Sequence, residues 1–134
     1  MQLEITERER EGIALLDMRG RLTAGPAVAA LRAALEKHSS GPGAKMILNL
    51  KEVDYIDSTG LGALVYCYTN LKKAGGVVNL LHLNRRNLEL LVLTKIDTIF
   101  EVFNDETDAV NSFFPGRAVK RFDILSFVRQ MKDQ

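Results

Sequence analysis

Val53-Asp54-Tyr55-Ile56-Asp57-Ser58-Thr59-Gly60-Leu61-Gly62-Ala63-Leu64 lies between the most strand-like run of the chain and a long helical pattern. Before it, Lys45-Met46-Ile47-Leu48-Asn49-Leu50 is a short apolar run of the kind a buried strand makes. After it, Leu61, Leu64, Val65, Tyr68 and Leu71 recur at three- and four-residue spacing, with Asn70, Lys72 and Lys73 on the other face. The stretch therefore reads as a strand-to-helix corner carrying a hydroxyl. Asp57 and Ser58 are both good N-cap residues, whose side-chain oxygens can accept bonds from the unpaired N–H groups of a first turn. Gly60 and Gly62 are poor helix formers, and their presence in that turn points to close approach of a neighbouring strand or of a partner.

The run Asp57-Ser58-Thr59-Gly60-Leu61-Gly62 after a hydrophobic strand, with Gly75-Gly76 closing the helix, resembles the signature of STAS domains, and within them of the bacterial anti-sigma factor antagonists. The resemblance covers roughly Leu3 to Phe114 and is most specific from Asp57 to Leu64. It implies an α/β fold in which helices pack on a mixed four- to five-stranded β-sheet. By position it implies that Ser58 is the serine phosphorylated by an anti-sigma factor that is itself a protein kinase. It also implies contact of that kinase with Asp54, Asp57, Ser58, Thr59 and Gly60, and with Leu22, Thr23 and Ala24 of the loop before the first helix. In that loop the commoner family pattern has an acidic residue near Leu22, where this chain has Thr23. A serine phosphatase is the implied resetting partner.

Composition narrows the classes. The 134 residues suit one domain with a modest tail, expected as residues 1–114 and 115–134. Apolar residues at 46% and charged residues at 26% argue against disorder, and a net charge of +1 gives no electrostatic case for nucleic acid. The single cysteine, Cys67, cannot form an internal disulfide, and no signal peptide or apolar run near membrane-spanning length is visible, so a reducing cytoplasm is the expected compartment. Some STAS relatives are cytoplasmic tails of anion transporters; a chain without a membrane portion fits the free-standing regulatory type.

Along the chain, Leu3 to Thr6 alternates as a strand, Glu7 to Gly12 reads as a charged turn, and Ile13 to Met18 resumes as the second arm of a hairpin, extended by Arg19 to Thr23. Gly25 and Pro26 mark a helix start, with Val28, Leu31 and Leu35 as its inner stripe to about His38. Ser39-Ser40-Gly41-Pro42-Gly43 ends it. After the central strand and its helix, Val77 to Leu81 reads as a buried strand. Asn84 caps a third helix through Leu88, Leu91 and Val92, and Ile99 to Phe103 alternates as a short strand. Asp105 opens a fourth helix, with Asp105, Glu106 and Asp108 near the positive end of its dipole and Val110, Phe113 and Phe114 facing inward. Strands alternating with helices after a hairpin give a mixed sheet with right-handed crossovers.

Beyond Pro115-Gly116, Phe122, Ile124, Leu125, Phe127, Val128 and Met131 pattern an amphipathic helical extension preceded by Arg117, Lys120 and Arg121. Such a stripe must dock on its own domain or on another chain, a homodimer being one form of the latter.

The chemistry has a bland reading beside each sharp one. Ser58 as a mere N-cap would contribute about 1 kcal/mol to its helix; as a phosphoacceptor it would place roughly two negative charges at a helix N-terminus, where N–H groups and the dipole receive them. That charge, beside Asp57 and near Asp54, would expel a closely packed partner without refolding the domain. Thr59, inside the first turn, is expected to be less accessible. Asp57 reads equally as a capping carboxylate or as an aid to a kinase. Gly60 and Gly62 read as close-packing residues, since Gly-Leu-Gly lacks the spacing of a phosphate loop. His38 and His82 are the only imidazoles, and nothing aims either at Ser58, so no catalytic role is assigned. One Cys and two His without ligand spacing predict no metal, and no cofactor is expected. Cys67 reads as a small buried hydrophobe.

Three functions follow. The first is a phosphorylation-switched binding module that, unmodified, occupies an anti-sigma factor kinase and so frees a sigma factor. The second is a constitutive STAS subunit of a lipid-transporting ABC complex or signalling scaffold. The third, weaker, is binding of a small ligand such as a nucleotide or lipid.

Overall fold

The computed structural model describes residues 3–38, 41 and 43–120. The amphipathic stripe expected from Phe122 onward lies outside them. Five strands, β1 (Glu4–Arg10), β2 (Ile13–Leu22), β3 (Lys45–Ile56), β4 (Val77–Leu81) and β5 (Val102–Phe103), form one sheet in sequential order. β1 is antiparallel to β2; all other pairs are parallel. Helices α1 (Pro26–His38), α2 (Ser58–Lys73) and α3 (Arg85–Leu93) are the crossovers. Because each right-handed crossover steps to the next strand in the same direction, all three fall on one face.

That face holds the main core. Leu16, Met18 and Leu22 of β2 and Met46, Leu48 and Leu50 of β3 meet Leu31 and Leu35 of α1, Leu64, Cys67 and Leu71 of α2, and Leu88 and Leu91 of α3. Cys67 is fully buried, and burial pushes its thiol up to about 12, so it packs as a hydrophobe. Val65 and Tyr68, expected in the core stripe of α2, are only partly buried; Gly60, Ala63 and Cys67 take the centre instead. The alternate residues Ile13, Leu15, Ile47, Leu81 and Phe103 form a smaller core on the opposite face, covered by α4 (Glu106–Asn111) through Ala109 and Val110. Phe113 and Phe114 join that core from beyond the end of α4, and Val119 follows them. Arg117 bonds Glu11, so packing against the domain continues past Phe114.

Local chemistry sets the boundaries. Gly75 has φ of 76° at the end of α2; its N–H bonds the Lys72 carbonyl at 3.0 Å and the Gly76 N–H bonds that of Leu71 at 2.7 Å, a double C-terminal closure that needs glycine. Asn84 and Asp105 cap α3 and α4 as their sequence positions require, accepting from Asn87 N–H and Asp108 N–H.

Three expected bounds are corrected. The opening hairpin is longer than the alternating pattern indicates: Glu7 to Arg10 is strand, and the turn shrinks to Glu11 and Gly12, both at positive φ. As an edge strand β1 can carry charges on its exposed positions and still pair, which the charge run concealed. β3 runs on to Ile56, past two register shifts against β2. Ile99 to Phe103 is not one strand. Lys95, at φ 61°, turns the chain into a 3-10 helix over Ile96–Thr98, and Phe100 packs edge-on against Tyr68 at 5.5 Å between ring centres. Only Val102 and Phe103 are left to pair with β4.

A polar network crosses the outer part of the sheet. Arg8 bonds Asp17 at 2.6 Å and Glu106 at 2.6 Å, Arg10 reaches Glu106 at 3.0 Å, and Asn49 donates to Asp17 at 2.9 Å. Partial burial works to raise the Asp17 carboxyl, but the bonds from Arg8 and Asn49 outweigh it and leave it below its ordinary 3.8. The Arg8 hydrogen bond, with help from Arg10 against a smaller effect of burial, holds Glu106 below its ordinary 4.5. Folded values below unfolded ones give stability that is complete above about pH 5 and is lost as pH falls through the depressed folded values. The melting temperature should therefore fall steeply below about pH 4, and Arg8→Gln should flatten that acid limb. Melting curves at stepped pH check both; an unchanged acid limb in Arg8→Gln would deny the network its role.

Candidate functional site

The N-termini of α1, α2 and α3 converge at the carboxyl ends of β2, β3 and β4, the edge where open α/β sheets commonly present their binding residues. Asp57 organises this edge. Of the two candidate caps it is Asp57, in extended backbone, that caps α2: its Oδ1 accepts the Gly60 N–H at 2.7 Å and its Oδ2 the Ala24 N–H at 3.0 Å. Its own N–H donates to the Leu22 carbonyl at 3.2 Å, and its carbonyl accepts from Leu61 at 2.9 Å. One side chain thus ties the start of α2 to the loop before α1, which brings Thr23 and Ala24 beside the corner. The bonds from Gly60 and then Ala24, aided by the Thr59 N–H and by the positive Arg21, hold the Asp57 carboxyl below its ordinary range against a smaller opposing effect of burial. It is an anion at neutral pH whose bonding capacity is largely spent on backbone.

Gly60 is buried because Leu22 leaves it no room: a Cβ there would lie 2.1 Å from the Leu22 carbonyl oxygen. Close approach of the neighbouring strand is seen at Gly60 and not at Gly62. Gly62 is exposed and, among the described residues, a Cβ there would meet nothing within 4 Å. A small residue without such a neighbour leaves open backbone on the face of α2 that also carries Ser58 and Tyr66, four residues to either side.

Ser58 and Thr59 are both exposed, and among the described residues neither hydroxyl has a hydrogen-bond partner. Burial therefore does not separate Thr59 from Ser58. With Asp57 serving as the cap, Ser58 is released from that duty and its Oγ is available to a reagent. Asp54 is exposed, Thr23 half-buried. The backbone beneath Asp54 is fixed from α3: Asn87, almost wholly buried, donates to the Val53 carbonyl at 2.9 Å, and Asn84 donates to the same oxygen at 3.2 Å.

Neither histidine bonds Ser58 among the described residues: His38 bonds Glu7 at the far end of α1, and His82 follows the carboxyl end of β4 at positive φ. Among the described residues there is no group of three His, Cys, Asp or Glu that could hold a metal, and no helix is long and apolar enough to cross a membrane. A groove of about 730 Å³ lies at the other end of the sheet, by Lys45, Gly76 and Val77, where β3 and β4 begin. The Ser58 corner thus offers an exposed surface of helix starts and loops, suited to contact with another macromolecule.

Two residues that the sequence left unremarked belong to the same edge. Arg21, the register neighbour of Tyr55 on β2, lies over the Tyr55 ring at 4.9 Å, and Arg86, in the first turn of α3, lies over it at 4.7 Å. Only the topology, which brings β2, β3 and α3 to one end, could have joined residues so far apart in sequence.

Comparison with known proteins agrees with this architecture. The sequence pattern of the STAS domain matches residues 4–109. The anti-sigma-B factor antagonist of Listeria monocytogenes is 31% identical over 106 residues, which span 79% of this chain and 91% of that protein. The anti-sigma-B factor antagonist of Bacillus subtilis is 38% identical over 60 residues, 45% of this chain; that match spans about half of the relative, 55% of its length. Among solved structures, the anti-sigma factor antagonist SpoIIAA in its unphosphorylated form superposes with a TM-score of 0.60 at 17% identity, covering 84% of this chain and 99% of SpoIIAA. The phosphorylated form of the same Bacillus protein gives 0.63 at 16% identity, covering 82% and 99%.

Proposed function

We propose, since the chain belongs to the STAS domain family, that it is an anti-sigma factor antagonist, a phosphorylation-switched binding module of the bacterial cytoplasm. Unphosphorylated, it binds an anti-sigma factor kinase and so releases a sigma factor to transcription. Phosphorylated on Ser58, it lets the kinase go, and a serine phosphatase resets it. The STAS unit is residues 1–114, and residues 115–134 are an extension. The observation that carries this reading is the exposed Ser58 hydroxyl, without a hydrogen-bond partner among the described residues, at a corner that Asp57 ties to the loop before α1.

The physical logic is local. Asp57 already satisfies the Gly60 N–H and bridges to Ala24, so a phosphate on Ser58 need not rebuild the corner. Its charge is met by the positive end of α2. What changes is the surface: Asp54, Asp57 and Thr23 would face a partner together with a dianion, and a partner that packs on Thr59 and on the backbone around Gly60 would have to desolvate it. That the two forms of SpoIIAA both superpose on this chain is in keeping with a switch of surface charge. A constitutive subunit of an ABC complex is the less favoured reading, since the Listeria and Bacillus relatives are antagonists.

Incubating the protein with the cognate anti-sigma kinase and ATP, then mapping the modified residue by mass spectrometry, tests the assignment. Phosphate on Ser58, and none on Ser58→Ala, is the expected result. Modification confined to Thr59 would move the switch by one residue and sink the Ser58 assignment.

A further inference from the structure

We infer that Arg21, Tyr55 and Arg86 form a docking point for acidic side chains of the partner protein that the Ser58 corner binds. The inference rests on the antagonist reading for the partner's identity, but its chemistry stands on the surface itself. Both guanidiniums are exposed and lie over one half-buried ring, at 4.9 and 4.7 Å from its centre. Among the described residues neither has a carboxylate within ion-pair distance, although exposed Asp54 is next to Tyr55 in sequence. Arg8, Arg10, Arg117 and Lys37, by contrast, are spent internally, on Asp17 and Glu106, on Glu106, on Glu11 and on Glu7.

A guanidinium stacked on an aromatic face keeps its N–H edge directed outward, and the stacking fixes its orientation before a partner arrives. Two such forks beside one ring match the geometry of carboxylates, which they can bind bidentately. Tyr and Arg are also the side chains in which binding energy at protein interfaces concentrates. The position links this point to the switch. Tyr55 is two residues from Asp57 on the same strand end, and Arg21 is near enough to help keep the Asp57 carboxyl ionised. A dianion on Ser58 would compete for the field of Arg21 and repel the partner's acidic groups, so phosphorylation would weaken this contact as well as the packing at the corner.

The test compares wild type with Arg21→Gln/Arg86→Gln, and with Arg21→Lys/Arg86→Lys, which keeps the charge but loses the fork. With the kinase that modifies Ser58 as ligand, the Gln pair should bind at least about tenfold more weakly, show a flatter dependence of affinity on salt, and melt at the wild-type temperature; the Lys pair should fall between. Wild-type affinity and wild-type salt dependence in the Gln pair would overturn the inference and leave the antagonist reading standing. If the kinase does not bind wild type at all, the antagonist reading falls, and titration with a hexaglutamate peptide followed by NMR decides the surface. Shifts centred on Arg21, Tyr55 and Arg86 that vanish in high salt and in the Gln pair support it. Shifts centred elsewhere, or none, overturn it.

Discussion

Ser58→Asp should reduce affinity for the kinase by roughly thirtyfold or more while moving the stability of the domain by no more than about 1 kcal/mol. The two halves have different causes. For the folded protein alone, a carboxylate at the first position of α2 gains from the helix dipole and loses from the neighbouring Asp57, and the exposed site lets water screen both. Because the Ser58 hydroxyl makes no bond among the described residues, nothing internal is lost when it is replaced. In a complex, the same carboxylate sits where a partner must exclude water, beside a second carboxylate whose charge is fixed by two backbone donors. A buried charge left unpaired costs several kcal/mol, which is the source of the expected loss in affinity. Paired measurements of melting temperature and dissociation constant separate the two halves. Equal affinity of wild type and Ser58→Asp would remove the charge switch, whereas a large fall in melting temperature would show that Ser58 has a structural duty after all.

The corner itself was legible in the sequence because its information is local. Apolar strand, Asx cap, glycine pair and three-to-four periodicity occupy about twenty consecutive residues, and Asp57, Asn84 and Asp105 all cap the helices that their positions announce. Features that depend on distant residues were not legible. Gly60 and Gly62 look alike in sequence, and only the approach of Leu22 from the end of β2 makes one of them indispensable. Cys67, one position off the Leu61, Leu64, Tyr68 and Leu71 spacing, is fully buried in the main core, where α2 packs on α1 and β4. The strand expected from Ile99 gives way to a 3-10 helix after Lys95 and to the packing of Phe100 on Tyr68, a contact with a distant helix that an alternating pattern does not reveal. The Arg21–Tyr55–Arg86 stack joins three elements and left no motif at all.

Gly60→Ala and Gly62→Ala, the same chemical change two residues apart, should have opposite effects on stability. At Gly60 the new methyl would stand 2.1 Å from the Leu22 carbonyl oxygen, inside any real contact distance, and the obstacle is backbone that no rotamer change can move aside. Relief requires the end of β2 to retreat, and that same carbonyl accepts the Asp57 N–H, so the tie between the two loops is strained with it. Forced overpacking costs about 1–3 kcal/mol, toward the upper end where the obstacle is backbone, and the better helix propensity of alanine returns about 1 kcal/mol, leaving a net loss of up to about 2 kcal/mol. At Gly62 a Cβ meets nothing within 4 Å among the described residues, the backbone is helical, and alanine should stabilise by about 0.5–1 kcal/mol. Denaturant unfolding of the two variants measures both signs. Kinase binding then separates packing from contact: Gly62 lies on the exposed face of α2 between Ser58 and Tyr66, so an added methyl should weaken a closely apposed partner even as it raises the melting temperature. Undiminished affinity in a stabilised Gly62→Ala would take that face out of the interface, and an unaltered stability in Gly60→Ala would mean that the Leu22 loop yields to a methyl without strain, contrary to the clamp described at Asp57.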